Sequence, residues 1–427
     1  MKNYGLTLVG ITLATLGLFG CPPEDKKDTN GEGSSSSGDN ASGGTTSSSG
    51  ENGSSSGVLS SSGGSSGENG SSSGDLSSSS GGASSSGGPL AEGWTVRSND
   101  ATDAGGNRTD ALWVDADGTV WTGYGTTTEG YGLFKGTGLG TSWSKVNDPD
   151  GVLAGNTFRV HSIFRAADDL LYLGAPIDGY KALALNTTTL EVTGAMDSVN
   201  TVGLSFEPGS FLVTPAGAVL AHSRTGAGLL VRESGTSTNP SDWTDLYDTG
   251  TFVTATTYDG KFYGAGVTTN KRRIAFVPRP NGGVADFTEV QLGIGLGQEA
   301  ELNGIAVGEK KAVIVGFNQS NYTGIYWIAS TNKVAVEAAW TRGNFSAVFG
   351  DATARTWARG ACVDGDKIAI VGEDPQESKA KVALSLDGGT TFTAISPEDT
   401  GPVHKCQFAA DGTLVVAGAG GFVGLYR

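Results

Sequence analysis

Histidine and sulfur are scarce in this chain, which has three His, three Cys and two Met among 427 residues. It contains no His-x-Glu-x-x-His run, no zinc-type Cys pair and no glycine loop of the kind that cradles phosphate. These motifs carry the chemistry of zinc hydrolases and nucleotide-binding proteins. The sequence therefore gives no support to either class, and we predict no metal site and no cofactor.

Basic residues are also fewer than acidic ones in this chain. The chain has 44 acidic and 28 basic residues, a formal net charge of −16. Residues 1–90 hold eight acids and three bases, which leaves 36 acids and 25 bases from residue 91 onward. Nucleic-acid-binding domains usually carry clustered positive charge. We therefore predict that the partner is not a nucleic acid.

Seven hairpin signatures recur between residues 110 and 427. Each has an apolar strand, a tight polar turn and a second apolar strand that ends in small residues. The turns lie at residues 118, 169, 217, 260, 310, 365 and 412. A strand-rich repeat of roughly 50 residues without helical periodicity is typical of a β-propeller. The sequence therefore predicts an all-β, seven-bladed propeller of four-stranded antiparallel blades over residues 91–427, which is long enough for one large core.

A second pattern predicts the outer strand of each blade and the closure of the ring. Several units carry an aromatic residue, then Ser or Thr, then an apolar residue two positions on, as in Trp143-Ser144-Lys145-Val146. The last unit ends at Arg427 without such a segment, whereas Trp94-Thr95-Val96 carries it at the other end of the domain. We predict that residues 93–98 complete the last blade, which removes the open sheet edge.

One unit carries a complete short motif, Ser-x-Asp-x-Gly-x-Thr-aromatic. Its residues are Ser385, Asp387, Gly389, Thr391 and Phe392. The motif resembles the bacterial neuraminidase repeat, or Asp-box, of sialidase-like propellers. That resemblance implies a structural role, in which the Asp caps the turn between third and fourth strands on the face away from the family's active sites. Fold similarity of this kind is weak support for activity.

The first ninety residues differ in composition from the rest. Residues 1–20 have a weakly basic start and an apolar run, and Leu18-Phe19-Gly20-Cys21 resembles a lipobox. We predict a lipoprotein signal peptide whose cleavage leaves Cys21 lipidated. Residues 21–90 are Ser- and Gly-rich, and such a segment cannot bury enough apolar surface to fold. We expect it to be a disordered tether, on an outer-membrane lipoprotein of the bacterial envelope, periplasmic or surface-exposed, and a monomer.

Propellers bind ligands where first strands begin, so the residues there are the first candidates for a binding mouth. They are Asp110, His161, Asn303, Arg359 and His404. His161, His222 and His404 belong to different units, which makes a shared metal geometrically strained. Satisfied or exposed polar histidines are the simpler interpretation.

Two loops add further candidates for the binding mouth. Lys271, Arg272 and Arg273 form a basic loop that suits an anionic glycan or, alternatively, only keeps the domain soluble. The long connection Gly343 to Trp357 carries Phe345, Phe349 and Trp357. These aromatics either stack on a ligand or pack beneath their own loop.

Cys362 and Cys406 remain once Cys21 is lipidated. Both lie in the first strands of neighbouring units. A disulfide between them is one hypothesis and suits an oxidising compartment. The alternative is a pair of small buried hydrophobic residues.

A sialidase would make sharper demands than this sequence meets. The family resemblance implies three Arg for the substrate carboxylate, a Tyr nucleophile paired with Glu, and an Asp acid/base. Arg108, Arg159, Arg355 and Arg359 lie near the corresponding face, but the Arg-Ile-Pro signature is missing and no Tyr–Glu pair stands out. We therefore predict no catalytic residues and a propeller that binds a protein or glycan. A sialidase-like hydrolase is the alternative, and an assembly or stability factor a weaker one.

Overall fold

The computed structural model describes thirteen segments of the chain. They are residues 93–99, 109–125, 130–147, 159–177, 180–197, 208–213, 219–223, 229–232, 243–247, 252–267, 273–279, 286–292 and 300–427. The predicted signal peptide, Cys21 and the tether lie outside them. Among the residues that the structure describes, no helix has the length and apolar character needed to cross a membrane.

The described strands form seven four-stranded antiparallel sheets, which are the blades of a propeller. Blade 1 contains β2 Thr109–Val114, β3 Val120–Gly125, β4 Gly130–Thr137 and β5 Ser142–Lys145. Blade 2 contains β6 Ser162–Ala167, β7 Leu170–Ile177, β8 Tyr180–Asn186 and β9 Val192–Asp197. Blade 3 contains β10 Pro208–Val213, β11 Val219–Ser223, β12 Leu229–Arg232 and β13 Trp243–Tyr247. Blades 4 and 5 contain β14 Phe252–Tyr258, β15 Lys261–Val267, β16 Arg273–Pro278, β17 Phe287–Gln291; and β18 Ala300–Val307, β19 Lys311–Asn318, β20 Gly324–Ser330, β21 Thr341–Asn344. Blade 6 contains β22 Trp357–Asp364, β23 Lys367–Asp374, β24 Lys379–Ser385 and β25 Thr393–Ala394.

Blade 7 joins the two ends of the domain. It contains β26 Val403–Phe408, β27 Leu414–Gly418 and β28 Val423–Tyr426, with β1 Trp94–Val96 as its outer strand. Trp94 is paired with Tyr426 in the antiparallel register. The regular strand is shorter than the predicted 93–98. Beyond Val96 the pairing continues less regularly, with Arg97 N donating to Val423 O at 2.7 Å.

The first strands of the blades surround the axis. Each contacts the first strand of the next blade, from β2 through β6, β10, β14, β18 and β22 to β26, which contacts β2 again. Short 3-10 turns at Thr331–Lys333, Glu337–Ala339, Ser346–Phe349 and Ala419–Gly421 interrupt the loops of blades 5 to 7.

The second strands explain the apolar runs of the sequence. In β19, β23 and β27 nearly every residue is buried, because each strand lies in the middle of a blade between two neighbouring blades. A strand covered on both faces needs a continuous apolar run rather than alternation. Residues 312–315, 368–371 and 414–417 meet this requirement.

The tight turns predicted between first and second strands differ in length where they contain Asp-Gly. Among the Asp-Gly pairs that the structure describes, only Asp259 and Gly260 both have positive φ, at 49° and 65°, as a type I′ turn requires. The turn at Gly118 is longer, because Asp115 N donates to Thr119 O across it at 2.8 Å. There the Asp117 carboxylate accepts the Thr119 N–H at 2.8 Å. That hydrogen bond is the main reason that the pKa of Asp117 lies below its ordinary value.

Side chains also join blade 1 to its two neighbours. The amide of Gln407, on β26, bonds to both backbone groups of Val114, at 2.8 and 3.0 Å. It thereby extends the sheet pattern from blade 7 to blade 1. On the other side, Asp115 accepts the indole N–H of Trp113 and Trp121 at 2.8 and 2.9 Å, and Arg165 of blade 2 pairs with the same carboxylate.

Candidate functional site

Most of the predicted mouth residues share a structural feature, which is a β-bulge at the start of the first strand in six of the seven blades. The register skips one residue in six of these strands, namely Asp110, Gly209, Val253, Asn303, Arg359 and His404. In blade 2, His161 N donates to Gly174 O, and Ser162 is paired with the same glycine. Bulges re-aim side chains and are common at barrel rims and next to binding sites. All five predicted first-strand candidates are therefore equivalent positions of the repeat.

The first strands enclose a channel of about 370 Å³. Its lining includes residues from the first strands of all seven blades. Arg359, Lys405 and His161 are the ionisable side chains other than cysteine on the described wall, and none of the described lining residues is Asp or Glu. The described channel wall thus carries basic but no acidic side chains, in a domain that has an excess of acids. We call the end at which the first strands begin the channel mouth.

Arg359 is the best-oriented polar group of the mouth. Its Nε donates to Glu373 Oε1 at 2.7 Å, and its Nη2 lies 2.6 Å from the same oxygen. The guanidinium also lies 4.3 Å from the ring centroid of Trp357. Both charged side chains are nearly buried, with 13% and 11% of their surface exposed. Glu373 therefore occupies one edge of the guanidinium, and the Nη1–Nη2 end remains for a second acceptor.

The other first-strand candidates are buried, bonded to a neighbouring blade, or have a side chain that the structure does not describe. Asn303 Nδ2 donates to Ala358 O at 2.9 Å, which ties blade 5 to blade 6. His161 and His404 are buried, at 3% and 6% exposure. Asp110 is described only as part of strand β2, so its side chain is outside the described set. Among the described residues, no group of three or more His, Cys, Asp or Glu is arranged to hold a metal ion.

The two loop predictions have different outcomes. Lys271 and Arg272 lie outside the described residues, and Arg273 is described only as the start of β16. Phe345 is fully buried, which agrees with the alternative that the aromatic residues of this connection pack beneath their own loop. It packs edge-on against Phe349 at 5.1 Å, beneath its own loop. Lys381 lies 5.2 Å from the Phe349 ring.

Trp357 belongs to a continuous series of stacked side chains that sequence reasoning missed. Phe317, at the end of β19, stacks on Trp357 at 5.2 Å and on Tyr322 at 6.2 Å. Arg355 lies 5.2 Å from the Tyr322 ring centroid. We call Arg355, Tyr322, Phe317, Trp357 and Arg359 the aromatic stack. It joins blades 5 and 6, and one of its ends lies in the channel.

Cys362 and Cys406 are joined by a disulfide in the structure, with their Cα atoms 5.7 Å apart. Both residues line the channel. The bond links β22 to β26, the first strands of blades 6 and 7. It lies next to a close backbone approach, because a Cβ on Gly360 would stand 2.6 Å from His404 O.

The Asp-box residues form a self-contained hydrogen-bonded turn between β24 and β25. Asp387 accepts the Ser385 hydroxyl at 2.8 Å, and the Thr391 N–H and hydroxyl at 2.9 and 2.7 Å. These bonds, led by that from the Thr391 backbone, lower the pKa of Asp387 to about 2. Gly389, at φ 87°, donates its N–H to Ser385. Phe392 packs on Tyr326 at 5.1 Å and lies just before β25, not in it.

Fold and channel together define a β-propeller protein. No protein-family model matches the sequence, and no curated protein matches it. YCF48 from Cyanidioschyzon merolae is structurally similar, with a TM-score of 0.55, 11% identity and coverage of 78% of this chain and 98% of that chain. "YCF48 bound to D1 peptide" has a TM-score of 0.54 and 10% identity, and the match covers 79% of this chain and 97% of that chain. A GH74 xyloglucanase from Xanthomonas campestris has a TM-score of 0.50 and 12% identity, and the match covers 78% of this chain and 53% of that chain. At such identities the similarity shows the propeller fold alone.

Proposed function

We propose that this protein is a lipid-anchored envelope lipoprotein whose propeller binds an acidic protein segment at the channel mouth without catalysing a reaction. The anchor in this proposal is Cys21, and residues 21–90 are the tether that holds the propeller away from the membrane. The anchor and tether rest on the lipobox-like sequence and the Ser- and Gly-rich composition.

The orientation of Arg359 is the observation that carries the binding proposal. The guanidinium is fixed on one edge by Glu373 and on its face by Trp357, so it has little conformational freedom left to lose on binding. Preorganised groups of this kind gain affinity because the ordering cost is already met in the free protein. Its remaining edge matches the two oxygens of a carboxylate.

A peptide ligand is favoured over a glycan by this charge arrangement. Carboxylates recur along acidic protein segments and are absent from neutral glycans. A structural neighbour, YCF48, has been captured with a D1 peptide, so the propeller fold is compatible with peptide binding. The Asp-box resemblance supports a family relationship to sialidase-like propellers, but the box serves the fold rather than the channel.

Fluorescence anisotropy on the full chain in detergent micelles tests the proposal. The probes are a fluorescein-labelled hexaglutamate peptide and a hexalysine peptide of the same length. We expect the protein to bind hexaglutamate and Arg359→Gln to weaken this binding by about tenfold or more. Hexalysine can associate with the acidic surface of the domain, and that association should not change in Arg359→Gln. Lys333→Gln, which removes an exposed charge at the opposite end of blade 5, is the matched control.

Two further measurements keep the result interpretable. Because Arg359→Gln leaves Glu373 uncompensated, the double variant Arg359→Gln/Glu373→Gln restores charge balance and should also bind poorly. A fluorogenic sialoside panel covers the hydrolase alternative. Turnover that disappears in Arg359→Gln would overturn the non-catalytic assignment. Hexaglutamate binding that is unchanged in both variants would overturn the mouth as the binding site.

Lipidation is tested separately by growing the producing cells with an alkyne-tagged fatty acid. We expect the tag on the wild-type chain and none on Cys21→Ser. Equal labelling of both chains would remove the anchor from the proposal while leaving the binding site intact.

A further inference from the structure

The aromatic stack connects the channel to the rim of the propeller. Its outer end is exposed, because Arg355 is exposed and Tyr322 retains 40% of its surface area. Its inner end, Arg359, lines the channel. The middle member, Phe317, is buried at 5% exposure. Two guanidinium groups are therefore fixed at the two ends of one rigid row of rings.

The outer end is held in a conformation that a tyrosine rarely adopts. Tyr322 has φ 59°, in the left-handed region that is unfavourable for bulky side chains. Asn318 and Asn321 each bond to the backbone two residues ahead, and Tyr322 N donates to Asn318 O at 2.7 Å. Thr356 N donates to Tyr322 O at 3.1 Å, which ties this loop to the segment carrying Arg355.

Backbone strain of this kind persists only where surrounding contacts enforce it, and it clusters at binding sites. A structural role alone does not require Tyr322 to be exposed, because Phe317 and Trp357 already fill the space between blades 5 and 6. Cation–π contact with the Tyr322 ring restrains Arg355 as Trp357 restrains Arg359. Both ends of the row are thus built in the same way, with a guanidinium over an aromatic face.

We propose that the aromatic stack is a two-point recognition site for an extended peptide with two carboxylates, one bound by Arg359 in the channel and one by Arg355 at the rim. This inference rests on the proposed function and adds the spacing of the ligand's acidic groups. The contacts along the row limit the distance between the two guanidinium groups to about 21 Å. An extended chain rises about 3.3 Å per residue, so the two acids lie no more than about six positions apart.

A series of labelled peptides measures this spacing on the full chain in detergent micelles. Each peptide has two Glu separated by one, three, five or eleven Ser residues, and a peptide of the longest length has a single Glu. Joining two weak contacts raises affinity when the linker fits the span, and the gain falls as the linker lengthens. We expect the best two-Glu peptide to have one to five intervening residues and to bind about three- to tenfold more tightly than the single-Glu peptide.

Variants separate the two ends of the row. Arg355→Gln should abolish the gain of the second Glu, and Arg359→Gln should weaken both the single-Glu and the two-Glu peptides. Tyr322→Asn, which tolerates the left-handed backbone but removes the ring, should reduce the gain. Lys333→Gln is again the charge-matched control.

The outcomes distinguish the two proposals. If single-Glu binding depends on Arg359 but the second Glu adds nothing at any spacing, the two-point site is refuted and the proposed function stands. If the second Glu helps equally in Arg355→Gln, the second contact lies elsewhere and the inference is also refuted. If no peptide responds to Arg359→Gln, the proposed function itself fails.

Discussion

Breaking the Cys362–Cys406 disulfide should lower the free energy of unfolding by up to about 4 kcal/mol. The bond spans 44 positions of sequence. In the chain-entropy account, closing a loop of that length in the unfolded state corresponds to about 4 kcal/mol at 25 °C. Measured losses for natural disulfides usually fall at about 2–5 kcal/mol. The remaining contacts between β22 and β26 persist after reduction, so we expect the fold to survive with a lower stability.

Urea denaturation followed by tryptophan fluorescence measures this loss. With a denaturant slope of about 3 kcal/mol/M, the midpoint should fall by about 1 M when a reductant is added. The variant Cys362→Ala/Cys406→Ala should start at the lower midpoint and show no response to the reductant. Equal midpoints for oxidised and reduced wild-type protein would refute the reasoning. So would two free thiols at these positions in mass spectra of the unreduced protein.

The remaining predictions concern single side chains in the blades. Asp387→Asn should destabilise the protein at pH 7. Because the folded pKa of Asp387, about 2, lies below the ordinary 3.8, the difference in free energy of unfolding between variant and wild type should shrink as pH falls from about 4 towards 2. Acid-denaturation scans of both proteins measure this. Gly360→Ala should lower the free energy of unfolding by about 1–3 kcal/mol in thermal unfolding, because its Cβ would meet the His404 carbonyl. Gly401→Ala is the control and should be nearly neutral, because the nearest atom to its Cβ is 3.8 Å away. Asp115→Ala removes the acceptor of two indoles and one guanidinium and should cost about 2–4 kcal/mol in urea titration; a loss below about 0.5 kcal/mol would contradict the role assigned to it.

Sequence periodicity located the inner hairpins because two simple signals coincide there. The second strands are uninterrupted apolar runs, and polar turn residues separate them from the first strands. Strand ends were less predictable. Phe392 and Trp340 each precede their outer strand instead of beginning within it. Their rings pack on neighbouring residues, which fixes their position without a ladder hydrogen bond.

The sequence allowed only part of the candidate site to be predicted. First-strand starts such as Arg359 and His161 could be selected by position, but a bulge adds one residue without changing the apolar pattern, so the direction of these side chains could not be predicted. Glu373 was missed as the partner of Arg359. A signal existed, since an acid directly after the buried run 368–372 needs a partner.

The aromatic stack could not have been found from one sequence. Its rings come from the end of β19, the loop that follows it and the start of β22, in two different blades. Neither spacing nor periodicity relates residue 317 to residue 357. Phe345 illustrates a related limit, because an aromatic residue in a polar loop gives no sign of whether it faces solvent or the blade beneath.

The pairing of Trp94 with Tyr426 has a consequence for how the protein is made. The propeller cannot close until Tyr426 has left the ribosome, because the outer strand of blade 7 precedes the other six blades in the chain and its partner follows them. Contacts between such distant residues form slowly. This arrangement delays ring closure until the strands of all seven blades have been synthesised. The same strand that seals the sheet edge of the folded propeller thus leaves the ring open while the segments between Trp94 and Tyr426 are being made.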